Sequence, residues 1–188
     1  MQSLIIFASG RGSNAEAIIN FFKEKGNVKV SLIVTNKADA GVIEVAEKEH
    51  IPFLIVNNQT LGGVLFIDQL RSYNPSLIVL AGFLKKIPDT VLQEFSNKII
   101  NIHPSLLPKH GGKGMYGHHV HQSVLDNGDK ESGITIHMVN EHYDEGAILT
   151  QARCAVTKED TIDTLAKKVH QLEHFYFPRT IEFLLQQM

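Results

Sequence analysis

The chain has 188 residues, 18 Lys+Arg against 20 Asp+Glu, and 43% hydrophobic residues. That length suits one domain with a substantial core, and the hydrophobic content excludes a disordered chain. The charges are mixed along the chain, so no basic face and no nucleic-acid partner are expected.

The apolar run Leu4–Ala8 near the N-terminus is too short for a signal sequence or a membrane span. The single cysteine, Cys154, rules out an internal disulfide and fits a reducing compartment. A soluble, unexported, cytoplasmic protein with no membrane partner is expected. Ser3–Ala8 is a continuous apolar strand of the kind found in a sheet covered on both faces. Ser9–Gly12 turns, and Ser13–Lys25 is a helix with Ala15, Ile18, Ile19 and Phe22 on one stripe. Strand Val28–Val34, helix Val42–His50, strand Pro52–Val56, helix Leu65–Tyr73 and strand Leu77–Ala81 follow. Pro88 opens helix Asp89–Phe95, where a first-turn proline is tolerated, and Lys98–Ile102 is the fifth strand.

This alternation implies a parallel sheet with right-handed crossovers. The last third differs. Residues 103–117 are loop-like, Val120–Leu125 makes a helical turn or two, and Ile134–Val139 and Ala147–Val156 are strands joined by the polar loop Asn140–Gly146. Asp160–Gln187 is a long helix in which Pro178 marks a break or kink. The fold class is α/β: a single Rossmann-like domain over 1–188, with a mostly parallel seven-stranded sheet and helices on both faces. Residues 1–102 form a βαβ half and residues 103–188 an elaborated remainder.

Four segments carry candidate chemistry. The first, Ser9-Gly10-Arg11-Gly12-Ser13-Asn14-Ala15, fits the G-x-G-x-x-G/A pattern between a strand and a helix. Glycines let an anion approach the backbone, and free N–H groups at a helix N-terminus face it. The second strand ends Val34-Thr35-Asn36 without the acid that a dinucleotide ribose needs. A phosphate monoester is therefore favoured over NAD, beside the plainer reading of a tight turn with Ser13 or Asn14 capping the helix. The second segment, Asn101-Ile102-His103-Pro104, lies just past the fifth strand. Residues two apart on extended chain point the same way, and Pro104 keeps His103 extended. An amide beside an imidazole suits oxyanion stabilisation with proton transfer, or else His103 merely caps a strand end. In the third, loop 140–146, nothing local distinguishes Asp144 from solvated neighbours. The fourth is a histidine cluster: five of the ten histidines fall between His103 and His121. No partnering acid or cysteine motif accompanies them, so a mobile, polar, lid-like segment around Gly111–Gly114 is favoured over a metal site.

Taken together, these motifs resemble the phosphoribosylglycinamide formyltransferases, a folate-dependent family of purine biosynthesis. The likeness spans nearly the whole chain, including Asn36-Lys37-Ala38-Asp39-Ala40, Leu80-Ala81-Gly82-Phe83, the run Asn101–Pro108, Asp144-Glu145-Gly146 and Gln171-Leu172-Glu173-His174. The resemblance implies that Asn101, His103 and Asp144 are catalytic, with Asp144 keeping His103 protonated. It implies that Gly12, Ser13 and Asn14 bind the acceptor's phosphate and Glu173 its ribose. It places Leu84, Lys85, Lys86, Ile87, Asn101 and Glu141 beside the folate. The implied co-substrate is 10-formyltetrahydrofolate, the implied acceptor is glycinamide ribonucleotide, and no metal is implied. Two features depart from the pattern. Residues 59–64 hold no arginine where relatives carry a ligand-contacting one, and Lys109–Val120 is a longer, glycine-rich version of its loop.

Overall fold

The apolar runs become strands because helices cover both faces of the sheet they form. The computed structural model describes residues 1–188. Strands β1 (Gln2–Phe7), β2 (Val28–Thr35), β3 (Phe53–Ile55), β4 (Leu77–Leu80) and β5 (Ile99–His103) pair in parallel. Strands β6 (Glu131–Met138) and β7 (Ile148–Ala155) add on antiparallel, giving the order β3-β2-β1-β4-β5-β6-β7. The helices are α1 (Ser13–Lys23), α2 (Val42–Lys48), α3 (Val64–Ser72), α4 (Asp89–Glu94), α5 (His118–Asp126) and α6 (Ile162–Gln186).

The strand period of two divides the core into halves. Leu4 and Ile6 join Ile18 and Phe22 of α1, Val124 of α5, and Leu165, Phe177 and Ile181 of α6. Ile5 and Phe7 face the other way, with Phe66 and Leu70 of α3 and Val91 of α4. A strand buried on both faces has no polar alternation, which is why these runs are continuously apolar.

Of the break or kink expected at Pro178, the break does not occur in helix α6. It runs unbroken through Pro178, which is itself buried. Leu165, Val169, Phe177, Ile181 and Leu185 all bury along it, and that packing outweighs the roughly 3 kcal/mol cost of an interior proline. No helix is long and apolar enough to cross a membrane.

From β1 the chain steps outward to β2 and β3, then returns to place β4 on the other side of β1. At such a reversal the loops leaving the carboxyl ends of adjacent strands part and leave a crevice. That crevice positions the site.

Candidate active site

The crevice is a cleft of about 1120 Å³, and its walls include the loop after β1, the loop after β4, the end of β5, the 112–118 segment and α6. Gly12 ends the first loop at φ +84° and is the N-cap of α1. A Cβ there would lie 2.9 Å from Val42, so both the backbone angle and the space demand glycine. Helix α1 has no side-chain cap, and Ser13 is its first residue. The expected Ser13 or Asn14 cap is therefore absent. Its absence leaves the first N–H groups of the helix without side-chain partners, which is what an anion at this end requires. Asn14 lies deeper: Nδ2 donates to Glu173 Oε2 at 2.9 Å, while its buried Oδ1 has no partner. Burial pushes the Glu173 carboxyl above its ordinary range, against the pull of Asn14 and the His170 charge.

Across the cleft, the antiparallel register sets Asn101 opposite His137 and His103 opposite Thr135. His137 Nδ1 lies 2.8 Å from the Met138 carbonyl, which can only accept. Its Nε2 is then a lone pair and accepts from Asn101 Nδ2 at 3.1 Å, which fixes the amide's orientation. His103 is 3% exposed. Its Nε2 donates to the His110 carbonyl at 2.8 Å, so Nδ1 is the free nitrogen. Asp144, from the 140–146 loop, brings Oδ2 to 3.4 Å from that Nδ1 and Oδ1 to 3.6 Å from His137 Nε2. It also accepts the Gly112 N–H at 2.9 Å. Asp144 itself sits at φ +58°, and two residues later a Cβ on Gly146 would lie 1.7 Å from the Met138 carbonyl oxygen. The loop can fold back over β5 only with glycine at that position.

The electrostatics of His103 are set by two opposing effects. Burial lowers the His103 pKa below 6.5, and the Asp144 charge and the His110 carbonyl only partly offset it. Desolvation therefore favours the neutral ring in the empty cleft and works against the standing cation implied by the resemblance. Burial pushes the Asp144 carboxyl up, but the charges that His137 and His103 carry when protonated, with the Gly112 N–H, more than compensate, so it lies below its ordinary range.

Gly12, Ser13, Asn14, Leu84, Lys85, Lys86, Ile87, Asn101, His103, Asp144 and Glu173 all line the one cleft. Glu141 does not. It is exposed and lies 3.7 Å from exposed His142, while Asn140, His142, Tyr143 and Asp144 line the wall. Ser9 Oγ ties the two sides of the cleft together, donating to Asn36 Oδ1 and accepting the Leu84 N–H at 2.9 Å. Of the histidine cluster, His118 and His121 line the cleft, whereas His110 turns away from it. No group of three or more His, Cys, Asp or Glu side chains converges as metal ligands would. Sequence reasoning missed His137 and Thr135. Their signal was present: two polar residues on alternate positions of a strand whose other face is Ile134 and Ile136, all four buried.

A family model described as formyl transferase matches residues 2–181. The chain is 40% identical to the phosphoribosylglycinamide formyltransferase of Bacillus subtilis over 98% of its own length and 95% of that protein's. It is also 40% identical to the chloroplastic phosphoribosylglycinamide formyltransferase of Arabidopsis thaliana, covering 99% of its own length and 66% of that protein's. Among solved structures, glycinamide ribonucleotide transformylase 1 of Symbiobacterium toebii superposes with a TM-score of 0.90 at 28% identity, covering 100% of this chain and 89% of that one. The phosphoribosylglycinamide formyltransferase of Bacillus halodurans gives 0.88 at 33% identity, covering 99% and 95%.

Proposed function

The chain belongs to the formyl transferase family, and from that premise we propose that it moves the formyl group of 10-formyltetrahydrofolate to the amine of 5-phosphoribosylglycinamide. The products are formylglycinamide ribonucleotide and tetrahydrofolate, a step of de novo purine biosynthesis. The observation that carries the proposal is the meeting, in one cleft, of an uncapped helix N-terminus with an Asn101–His103–Asp144 cluster.

The acceptor's phosphate sits on the N–H groups at the start of α1, where the helix dipole favours an anion without a basic cluster. Glu173 accepts from the ribose hydroxyls, and the folate ring lies between Leu84–Ile87 and the 140–144 loop. The amine attacks the formyl carbon. A C–N bond forms, and the carbonyl electron pair moves onto oxygen. Asn101 Nδ2 has a second hydrogen beyond the one it gives His137, and donates it to that oxyanion. The proton leaving the amine is taken by the His103–Asp144 pair, directly or through a water. His103 then becomes a cation in the transition state, beside a carboxylate that favours it. Collapse of the oxyanion breaks the bond to the folate nitrogen, which takes the proton. The formyl group has changed nitrogen with no net charge left behind.

The test follows tetrahydrofolate release by absorbance with both substrates present, then with the unphosphorylated riboside as acceptor. Release requires the acceptor, and loss of the phosphate raises the acceptor KM at least tenfold. Equal turnover with water or with the riboside would contradict the assignment.

A further inference from the structure

His103 depends on residue 110, and residue 110 is held by a cluster that lies outside the cleft. The loop after β5 is pinned at its near end: Ser105 Oγ donates to the Lys109 carbonyl at 2.7 Å, Thr135 Oγ1 to the Ser105 carbonyl at 2.7 Å, and Gln151 Nε2 to the Leu107 carbonyl at 2.9 Å. The first holds the peptide that enters His110, and on the far side the Gly112 N–H donates to Asp144 Oδ2 at 2.9 Å, but none of these holds the 110–111 peptide, whose carbonyl faces His103. Beyond residue 110 lies Gly111-Gly112-Lys113-Gly114, where Gly112 and Gly114 have positive φ. His110 also has φ +55°, a conformation that non-glycine residues hold only where surrounding contacts enforce it. That conformation presents its carbonyl to His103 Nε2.

The enforcing contacts come from the ring. Nε2 lies 2.8 Å from Asp129 Oδ2, an acceptor, so it donates there; Nδ1 lies 2.8 Å from Ser123 Oγ. Asp129 is in turn held by Asn127 Nδ2 at 2.8 Å and by Lys109 Nζ at 3.4 Å. Both Asp129 and Ser123 belong to α5 or the turn just after it, so the ring bolts the loop to the C-terminal end of that helix.

Resting on the formyl-transfer reading, we propose that His110 is a positioning residue, whose ring, clamped between Asp129 and Ser123, aims its own carbonyl at His103 and so fixes Nδ1 as the working nitrogen. Nothing in the reaction touches the His110 ring. Its effect runs through the backbone to the tautomer and aim of His103. If the clamp is released, residue 110 becomes the first residue of the glycine-rich stretch, and the carbonyl leaves its post.

The test uses the full chain and three variants. His110→Phe keeps the bulk and removes both ring hydrogen bonds. Its kcat falls at least tenfold, with both KM values within twofold of wild type. The limb of the kcat–pH profile that reports His103 moves to lower pH, because the carbonyl contact supports the protonated ring. Asp129→Ala reproduces the kcat loss, and adding it to His110→Phe costs little more, as expected of groups that act as one unit. Asp129→Asn, which retains an acceptor for the ring, recovers most of what Asp129→Ala loses. Long-range ¹⁵N spectra read the tautomer without any activity: proton on Nε2 of His103 in the wild type, a mixture in His110→Phe. Wild-type kcat with an unchanged tautomer in His110→Phe would overturn the inference, as would additive losses in the double variant. Should the wild-type chain fail to transfer formyl groups, the functional reading falls and the tautomer measurement alone still decides this inference.

Discussion

Two residues of the proposed catalytic cluster were legible because they share one strand. Asn101 and His103 are two apart on β5, and extended geometry aims them alike. Asp144 was not legible from its surroundings. It comes from a loop with several acids, and what selects it is the fold-back that sets its Oδ2 3.4 Å from His103 Nδ1. His137 was visible only as a polar position on an otherwise apolar strand; its role follows from antiparallel register with Asn101, a pairing across 36 residues that no local pattern encodes. The burial that opposes protonation of His103 was not legible, because proximity to a carboxylate can be inferred from a family likeness, whereas the depth of burial cannot. Asp144→Asn removes a charge that raises the His103 pKa, so the rise of kcat with pH shifts to lower pH. The amine's proton also loses half of its holding pair, so kcat falls by about 10²-fold or more. Glu141→Gln and Glu145→Gln, both exposed, leave kcat within twofold. A kcat–pH series on the three variants checks this, and equal modest losses at all three positions would show that the loop needs only negative charge.

At the scale of elements, the strands were readable because burial on both faces leaves an apolar run, and α1 because its stripe of Ala15, Ile18, Ile19 and Phe22 has helical spacing. All four of those residues are buried. The start of α1 was less readable. Ser13 has the chemistry of a cap, yet the cap is Gly12, since only glycine tolerates φ +84° against Val42. Pro178 suggested a break that does not occur, for a related reason: propensity is local, and the face that α6 buries against the sheet carries the helix through. Gly12→Val would force the start of α1 to shift while leaving the Leu84–Ile87 wall in place. The acceptor KM rises at least tenfold and the folate KM changes less than twofold, as initial-rate kinetics would report. A matching fall in both affinities would detach the phosphate from this helix end.

For the molecule as a whole, α6 joins the two halves of the chain: Glu173 reaches Asn14 at the cleft, and Phe177 is fully buried in the core below it. Phe177→Ala leaves a cavity there and lowers unfolding free energy by about 3–5 kcal/mol in urea titration. His121 adds a pH term. Burial, with the neighbouring charges of His170, His118 and His103, holds its pKa near 4 against an ordinary 6.5. The unfolded chain therefore binds a proton that the folded chain refuses across that window, and stability rises with pH from about 4 to 6.5. His121→Gln flattens that part of the stability curve, measurable as urea midpoints at pH 5 and pH 7. In the proposed reaction, one cleft brings a folate formyl group to a phosphoribosyl amine under His103 and Asp144. Its most direct test is a single-turnover ¹³C experiment with 10-formyltetrahydrofolate labelled in the formyl carbon. In the wild-type chain the label passes to the amine nitrogen of 5-phosphoribosylglycinamide in a one-to-one ratio with tetrahydrofolate formed, and His103→Ala slows that transfer by about 10²–10⁴-fold. Label released as formate, or transfer by His103→Ala at a tenth of the wild-type rate or faster, would contradict the account.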